Sequence, residues 1–88
     1  MATYQLKAAA SAERTLARLP ELAAAAIVEF MTAFLLENPH SVGKPLRLEL
    51  KGYHAARRGA YRVVYRIEHA GTVSVVRIDH RADVYRTR

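Results

Sequence analysis

The chain has 88 residues and a mass of 9.9 kDa, the size of a single small domain spanning residues 1–88. It contains no cysteine, which excludes disulfide bonds, zinc–thiolate sites, iron–sulfur clusters and thiol nucleophiles, and makes a reducing cytoplasm the expected compartment. The net charge is +6. Residues 1–40 carry three basic and four acidic side chains, whereas residues 41–88 carry eleven basic and four acidic ones. A basic half of this density predicts a polyanionic partner, most often a nucleic acid. The alternative is a solvated basic face or a dock for an acidic protein.

The longest apolar stretch covers residues 22–36 and is interrupted by Glu29 and Thr32. It is shorter than the roughly 20 apolar residues that a membrane span requires. The first residues also lack the basic segment and apolar run of a secretory signal. We therefore expect a cytoplasmic protein with no membrane partner.

The first forty residues predict one strand followed by two helices. Polar and apolar residues alternate over residues 3–7, which is typical of a short strand. Ser11 is placed to cap a first helix, which Pro20 ends. A second helix is predicted from Glu21 to Glu37. Its main core-facing stripe is predicted to consist of Leu22, Ala26, Phe30, Ala33 and Phe34, with Ile27, Met31 and Leu35 beside it.

After residue 43 the apolar pattern changes to period two, which indicates strands. Strands are predicted at residues 46–50, 61–67 and 73–78. Turns are predicted at Gly52, Gly59 and Ala70-Gly71. The order of one strand, two helices and three or four further strands predicts an α+β fold. Two N-terminal helices would pack on a mainly antiparallel sheet of four to five strands.

The predicted hairpins bring several polar side chains to one end of this sheet, because each turn pairs the end of one strand with the start of the next. A bulge would change which of these side chains share a face. We expect that end to collect Arg57, Arg58, Arg62, Asp79, His80, Arg81 and Tyr85.

This set suits the cleavage of an RNA phosphodiester without a metal ion or cofactor. The 2′-hydroxyl must lose a proton, charge builds on the phosphate, and the leaving oxygen must gain a proton. The guanidinium groups of arginines are permanently charged and donate pairs of hydrogen bonds to the phosphate oxygens. His80 is either the proton-exchanging group or a structural residue bonded to Asp83 or a carbonyl. Tyr85 would stack on a base or assist proton transfer.

Three segments together resemble a known family. They are KPLRLEL at residues 44–50, ARRGAYRVVYRI at residues 56–67 and IDHRADVYR at residues 78–86. The chain is similar in these segments to the RelE/ParE toxin superfamily, and specifically to the RelE-like branch with its mycobacterial-type members. The similarity extends to the first helix and so covers nearly the whole chain.

The resemblance implies the toxin of a type II toxin–antitoxin system, which cleaves mRNA on the ribosome and is held by a small RelB-like antitoxin. It implies catalytic roles for Arg57, Arg62, Arg81 and Tyr85, with His80 added from the residue argument, and no cofactor. The basic residues Lys44, Arg47, Lys51 and Arg58 are expected to bind RNA.

One position departs from the family pattern. RelE-like proteins often carry a second basic residue two places before the position of Arg57, and this chain has Ala55 there. The general base is therefore open among His54, Arg58 and His80. Two alternatives remain: a ParE-like toxin that inhibits DNA gyrase by binding it, and a degenerate member that is not toxic.

Overall fold

A computed structural model describes residues 4–68 and 71–80, which form a five-stranded sheet with helices on one face. The elements in chain order are β1 (Gln5–Ala8), α1 (Ala10–Arg18), α2 (Glu21–Phe30), α3 (Pro39–Val42), β2 (Lys44–Pro45), β3 (Tyr53–Arg58), β4 (Tyr61–Glu68) and β5 (Thr72–His80). The strand order is β1-β5-β4-β3-β2, with β1 parallel to β5 and every other pair antiparallel. The predicted α+β class, with two N-terminal helices on a mainly antiparallel sheet, is confirmed.

Alternation along the strands divides the sheet into two faces. The inner face, which packs against the helices, includes Val63 and Tyr65 of β4 and Val73 and Val75 of β5. The outer face, which points away from the helices, includes Arg57 of β3, Arg62 and Arg66 of β4, and Arg77 and Asp79 of β5. The main apolar cluster therefore lies between the inner face and the helices, whereas Val64 is buried on the outer face and is not part of that cluster.

The hydroxyl of Tyr65 ties the sheet to the segment that precedes β2. It donates a buried hydrogen bond of 2.6 Å to the carbonyl of Pro39. Burial raises the pKa of Tyr65, although a hydrogen bond with the backbone of Gly43 acts in the opposite direction. A Cβ at Gly43 would collide with the Tyr65 hydroxyl and come within 2.9 Å of its ring. Glycine is thus required there for the segment to lie against the ring.

The predicted strand at residues 46–50 is wrong. Only Lys44–Pro45 pairs with β3 as a strand, and Leu48–Leu50 form a short 3₁₀ turn. Leu48 has a φ of 59° and is 88% exposed, so its side chain has no core to enter. Alternating leucines gave a strand-like period, but the sheet edge offers these leucines no buried face.

The predicted core stripe of the second helix is also wrong in part. Leu22 and Phe34 are 86% and 58% exposed, whereas Ile27, Met31 and Leu35 are buried with Phe30. The helix continues beyond Phe30 as a π-helical turn over Met31–Leu35. Its sequence is apolar on nearly every side, so periodicity alone could not select the buried stripe. Within the described residues, no helix has both the length and the apolarity that crossing a bilayer requires.

The predicted cap of the first helix is a third correction. α1 begins at Ala10 with Ala9 as its N-cap, and no side chain caps it. The Ser11 hydroxyl instead donates to the carbonyl of Val76 at 3.0 Å. That bond fastens α1 to β5, the strand on which the helix lies.

A row of rings fills the inner face at the end of the sheet opposite the Gly59 turn. The ring of His54 stacks on Tyr65 at a centroid distance of 5.4 Å, and His40 lies edge-on to His54 at 6.4 Å. Burial lowers the pKa of His54, and the positive charge of His40 lowers it further. His54 is therefore a packing residue that is favoured in its neutral form.

The helix stripe can be tested with two leucines of the same helical segment. Leu35→Ala should lower the free energy of unfolding by about 2–5 kcal/mol, because it empties a fully buried site. Leu22→Ala, its exposed control, should change that free energy by less than about 0.5 kcal/mol. Urea unfolding followed by circular dichroism measures both. Equal losses in the two variants would contradict the stripe that the structure shows.

The packing of His54 predicts a pH dependence of stability. An unfolded histidine titrates near pH 6.5, so lowering the pH through that value protonates the unfolded chain before the folded one. The free energy of unfolding should therefore fall as the pH drops from about 7.5 to below 6.5. His54→Phe keeps a ring on Tyr65 but cannot take a proton, so it should reduce this slope.

The control is His40→Asn, which removes the smaller cause and leaves burial in place. Its slope should lie between those of the wild type and His54→Phe. Urea titrations at several pH values provide the measurement. An unchanged slope in His54→Phe would refute the assignment.

Candidate functional site

The turn between β3 and β4 places two arginines side by side on the outer face. Gly59 adopts a φ of 61°, which allows the chain to reverse tightly between the strands. The register then sets Arg57 directly opposite Arg62. Like charges opposite each other across a ladder destabilise a sheet, so this pair has a cost in folding that an anion would offset.

The end of β5 adds an acidic group next to this pair. Asp79 is the cross-strand partner of Arg62 in the register, at the end of the sheet where the hairpin prediction placed both residues. Its carboxylate, however, binds Arg77, whose Nε lies 2.9 Å from Oδ2 and 3.1 Å from Oδ1. Asp79 therefore neutralises Arg77.

Arg62 is the more enclosed member of the arginine pair. It is half-buried, whereas Arg57 is exposed. The Nε of Arg62 is buried and finds no hydrogen-bond acceptor within residues 4–68 and 71–80. A buried guanidinium donor without an acceptor favours an oxygen from a ligand.

A cleft of about 530 Å³ opens beside the arginine pair. We call it the basic cleft; it is lined by Val42, Lys44, Leu46, Ala55, Ala56, Arg57 and Arg62. Lys44 stands opposite Ala55 in the β2–β3 register. Because the side chain of Ala55 is small, the space between Lys44 on β2 and the arginine pair stays open. Among residues 4–68 and 71–80, the lining of the basic cleft thus includes three cationic side chains and no carboxylate.

The other predicted RNA-binding residues lie outside the basic cleft. Arg58 alternates with Arg57 and instead lines an apolar groove of about 260 Å³ with Ala23 and Ala26 of α2. Arg47 and Lys51 are exposed on the loop that contains the 3₁₀ turn. Arg66 is at the far end of β4, where its guanidinium lies 5.7 Å from the centre of the Tyr53 ring.

His80 is at the predicted end of the sheet but on the other face. It pairs with Tyr61 in the register, and the two rings meet edge to face at 5.1 Å on the inner side. The bulge that we allowed for does occur, since the pairing passes over Val76 between Val64 and Tyr65. It shifts every later pair of the hairpin by one residue, and this shift places His80 opposite Tyr61 on the inner face and Asp79 opposite Arg62 on the outer face.

None of the three alternative general bases lines the basic cleft. His54 stacks on Tyr65, Arg58 borders the groove beside α2, and His80 lies against Tyr61. Sequence reasoning assigned Lys44 to RNA binding without recognising that it stands opposite Ala55. The predicted turn at Gly52 did not give this pairing, because the connection between β2 and β3 covers residues 46–52 and its length sets the register. Arg81 and Tyr85 lie outside the described residues.

The residues that the structure describes include no group of three or more histidine, aspartate or glutamate side chains able to hold a metal ion. What the basic cleft can do chemically follows from its cations. They bind an anionic group through fixed charges and hydrogen-bond donors, and they stabilise negative charge that develops on it.

Known proteins match this chain over most of its length. The family model for the ParE toxin of the type II toxin–antitoxin system parDE matches residues 6–85. The Toxin RelE of Mycobacterium tuberculosis is 51% identical over 84 residues, covering 94% of this chain and 87% of that protein. The Toxin RelG of the same organism is 51% identical over 85 residues, covering 94% of this chain and 97% of that protein.

Comparison with solved structures gives the same family. The toxin–antitoxin complex RelBE2 of M. tuberculosis contains a chain that superposes with a TM-score of 0.87 at 48% identity, covering 94% of this chain and 97% of that one. The intact Escherichia coli RelBE complex matches with a TM-score of 0.74 at 19% identity, over 88% of this chain and 95% of that one, and shows the same fold. The chain therefore belongs to the RelE/ParE family and is a RelE-type toxin of a type II toxin–antitoxin system.

Proposed function

We propose that this toxin is an endoribonuclease that cleaves mRNA on the ribosome in the cytoplasm and thereby stops translation. The observation that supports the proposal most strongly is the basic cleft, whose described lining residues include Lys44, Arg57 and Arg62 and no carboxylate. Such a site is unfavourable for folding and favourable for a phosphodiester, because each phosphate group brings the negative charge that the cleft lacks.

The proposed chemistry needs no metal ion. The 2′-hydroxyl of one nucleotide attacks the adjacent phosphorus, the bond to the 5′-oxygen breaks, and a 2′,3′-cyclic phosphate and a 5′-hydroxyl end form. Arg62 and Arg57 donate hydrogen bonds to the non-bridging oxygens as charge builds on them. Arg62 contributes most, since its Nε is buried and has no hydrogen-bond acceptor among residues 4–68 and 71–80.

Lys44 takes the place of the basic residue that is missing at position 55. It reaches the cleft from the neighbouring strand, opposite Ala55, and so returns a positive charge to that part of the site. In this proposal it binds the phosphate group and favours the ionised 2′-oxygen. Arg81 and Tyr85 complete the site: Arg81 adds a further cation, and Tyr85 stacks on a base or orients the nucleotide.

The proposal includes a RelB-like antitoxin as the partner in the resting state. The RelBE2 and RelBE structures are toxin–antitoxin complexes by their printed descriptions. On this chain, the exposed side chains of Leu22 and Phe34 and the groove between α2 and the Gly59 turn leave an apolar surface uncovered. An amphipathic helix would cover that surface, and acidic residues flanking it would meet the +6 charge of the toxin.

The central experiment compares arginines of one face. Arg62→Ala or Arg57→Ala should lower the rate of mRNA cleavage by about 100-fold or more, because each removes a donor to the charged transition state. Arg66→Ala is the matched control, since it removes the same charge from the same face at the far end of β4. Primer extension on mRNA bound to purified ribosomes measures cleavage, and circular dichroism checks folding.

Arg62→Lys is a second test variant, because it keeps the positive charge and loses the bidentate hydrogen-bond donor. Its cleavage rate should lie between those of the wild type and Arg62→Ala. Full cleavage by folded Arg62→Ala would overturn the assignment. Toxicity accompanied by DNA breaks at gyrase, with intact mRNA, would replace the ribonuclease proposal with the gyrase alternative.

The role of Tyr85 is tested by two substitutions, of which one removes only the hydroxyl and the other removes the whole ring. If the ring stacks on a base, Tyr85→Phe should cleave nearly as fast as the wild type, whereas Tyr85→Ala should lose about 1–3 kcal/mol of substrate binding. The Michaelis constant and turnover number for ribosome-bound mRNA measure the difference. Equal loss in both variants would assign the role to the hydroxyl instead.

A further inference from the structure

A second pocket lies behind the basic cleft, on the inner face at the same end of the sheet. Its volume is about 270 Å³. We call it the inner pocket; it is lined by Thr15, Arg18, Leu19, Tyr61, Ile78, Asp79 and His80. The last turn of α1 therefore forms one wall, and the ends of β4 and β5 form the other. Pockets for drug-sized ligands span about 300–1,000 Å³, so this one suits a smaller group.

The inner pocket is separated from the basic cleft by one thickness of the sheet. Tyr61 precedes Arg62 in β4, and Asp79 precedes His80 in β5, with these residues forming two successive cross-strand pairs. Neighbouring residues of a strand lie only about 3.3 Å apart along it. Gly59 in the turn that borders this end is exposed and has no side chain. Among the described residues, the two sites therefore lie close enough for one RNA strand to contact both.

The lining groups of the inner pocket match the parts of a nucleotide. Tyr61 and His80 form an aromatic corner, with ring planes at 83° and both side chains half-buried. Arg18 supplies a positive charge at its mouth, while the carboxylate of Asp79 is already bound to Arg77. Aromatic rings stack on bases of any identity, and a guanidinium binds the adjoining phosphate.

Thr15 adds a polar contact of defined direction. Its hydroxyl donates to the carbonyl of Ser11 at 3.0 Å, one turn back in α1. The oxygen of Thr15 can therefore only accept a further hydrogen bond. An amino or imino N–H on a base edge is the complementary group.

We propose that the inner pocket binds one nucleotide of single-stranded RNA that flanks the scissile phosphodiester. The base lies in the corner of Tyr61 and His80 and donates to Thr15, and the adjoining phosphate pairs with Arg18. This inference rests on the ribonuclease function proposed above and assigns His80 to base binding instead of proton transfer. A flanking subsite outside the cleft holds the RNA in register while the cleft acts on the phosphate.

The test compares two arginines of α1. Arg18→Ala should weaken binding of a 2′-O-methyl RNA oligonucleotide, which cannot be cleaved, by about tenfold, and should reduce the slope of log K against log salt by about 0.7. Arg14→Ala is the matched control, because Arg14 is exposed on the same helix and does not line the pocket. Fluorescence anisotropy with the full-length toxin measures the dissociation constants.

Two further arms identify what occupies the pocket. An oligonucleotide with one abasic site beside the cleavage position should bind wild type and Arg18→Ala more weakly, and should lose the effect of His80 substitutions. His80→Ala should raise the Michaelis constant with little change in turnover number, and His80→Phe should raise it less because it keeps a stacking ring.

The results separate this inference from the function on which it rests. If wild type cleaves mRNA in an Arg62-dependent manner while Arg18→Ala and Arg14→Ala bind RNA equally, the inner pocket is not a subsite and the ribonuclease proposal stands. If wild type neither binds nor cleaves RNA, both fail. Shifts of the His80 ring signals in NMR spectra on addition of the antitoxin, but not of RNA, would make the pocket a protein contact and overturn the inference.

Discussion

The alternation of β4 is the constraint on which the rest of the molecule depends. This strand lies at the centre of the sheet, so its two sets of side chains determine what each face can do. Val63 and Tyr65 on one side hold the helices, and Arg62 and Arg66 on the other side meet solvent. A slip of one residue would exchange the two sets and place guanidinium groups in the core. The register of β4 therefore determines both the stability of the core and the position of the cationic site.

The segment before β2 depends on the same strand through a single polar contact. The bond from Tyr65 to the Pro39 carbonyl holds α3 against the inner face, and Gly43 allows the backbone to pass beside the ring. Lys44 follows immediately and enters the basic cleft. A core hydroxyl thus fixes the chain from which one of the three cations of the cleft projects. The geometry of the basic cleft therefore depends on the buried hydrogen bond from Tyr65 to Pro39 as well as on the charged residues.

Part of this arrangement could be predicted from the sequence. The period-two pattern of residues 61–67 and the glycines of the two turns were enough to place Arg57, Arg62 and Asp79 at the same end of the sheet, because strand pairing in short hairpins leaves few alternatives. Predicting which face of the sheet His80 occupies required the register at the strand ends. Apolar content on every side of α2 concealed which stripe is buried, and the leucines after Pro45 imitated a strand at an edge with no core. In each case the missing information was tertiary.

The parallel pairing of β1 with β5 has a consequence for how the chain acquires its structure. Gln5 pairs with Thr72, and the amide of Ala9 bonds to the carbonyl of Val75, so the first strand and the start of α1 dock on the last strand of the sheet. Contacts between such distant parts of a chain form late, because a large loop must close before they are made. During synthesis the N-terminal elements have no sheet to join until β5 has been made. The toxin therefore cannot complete its fold before β5 has been synthesised.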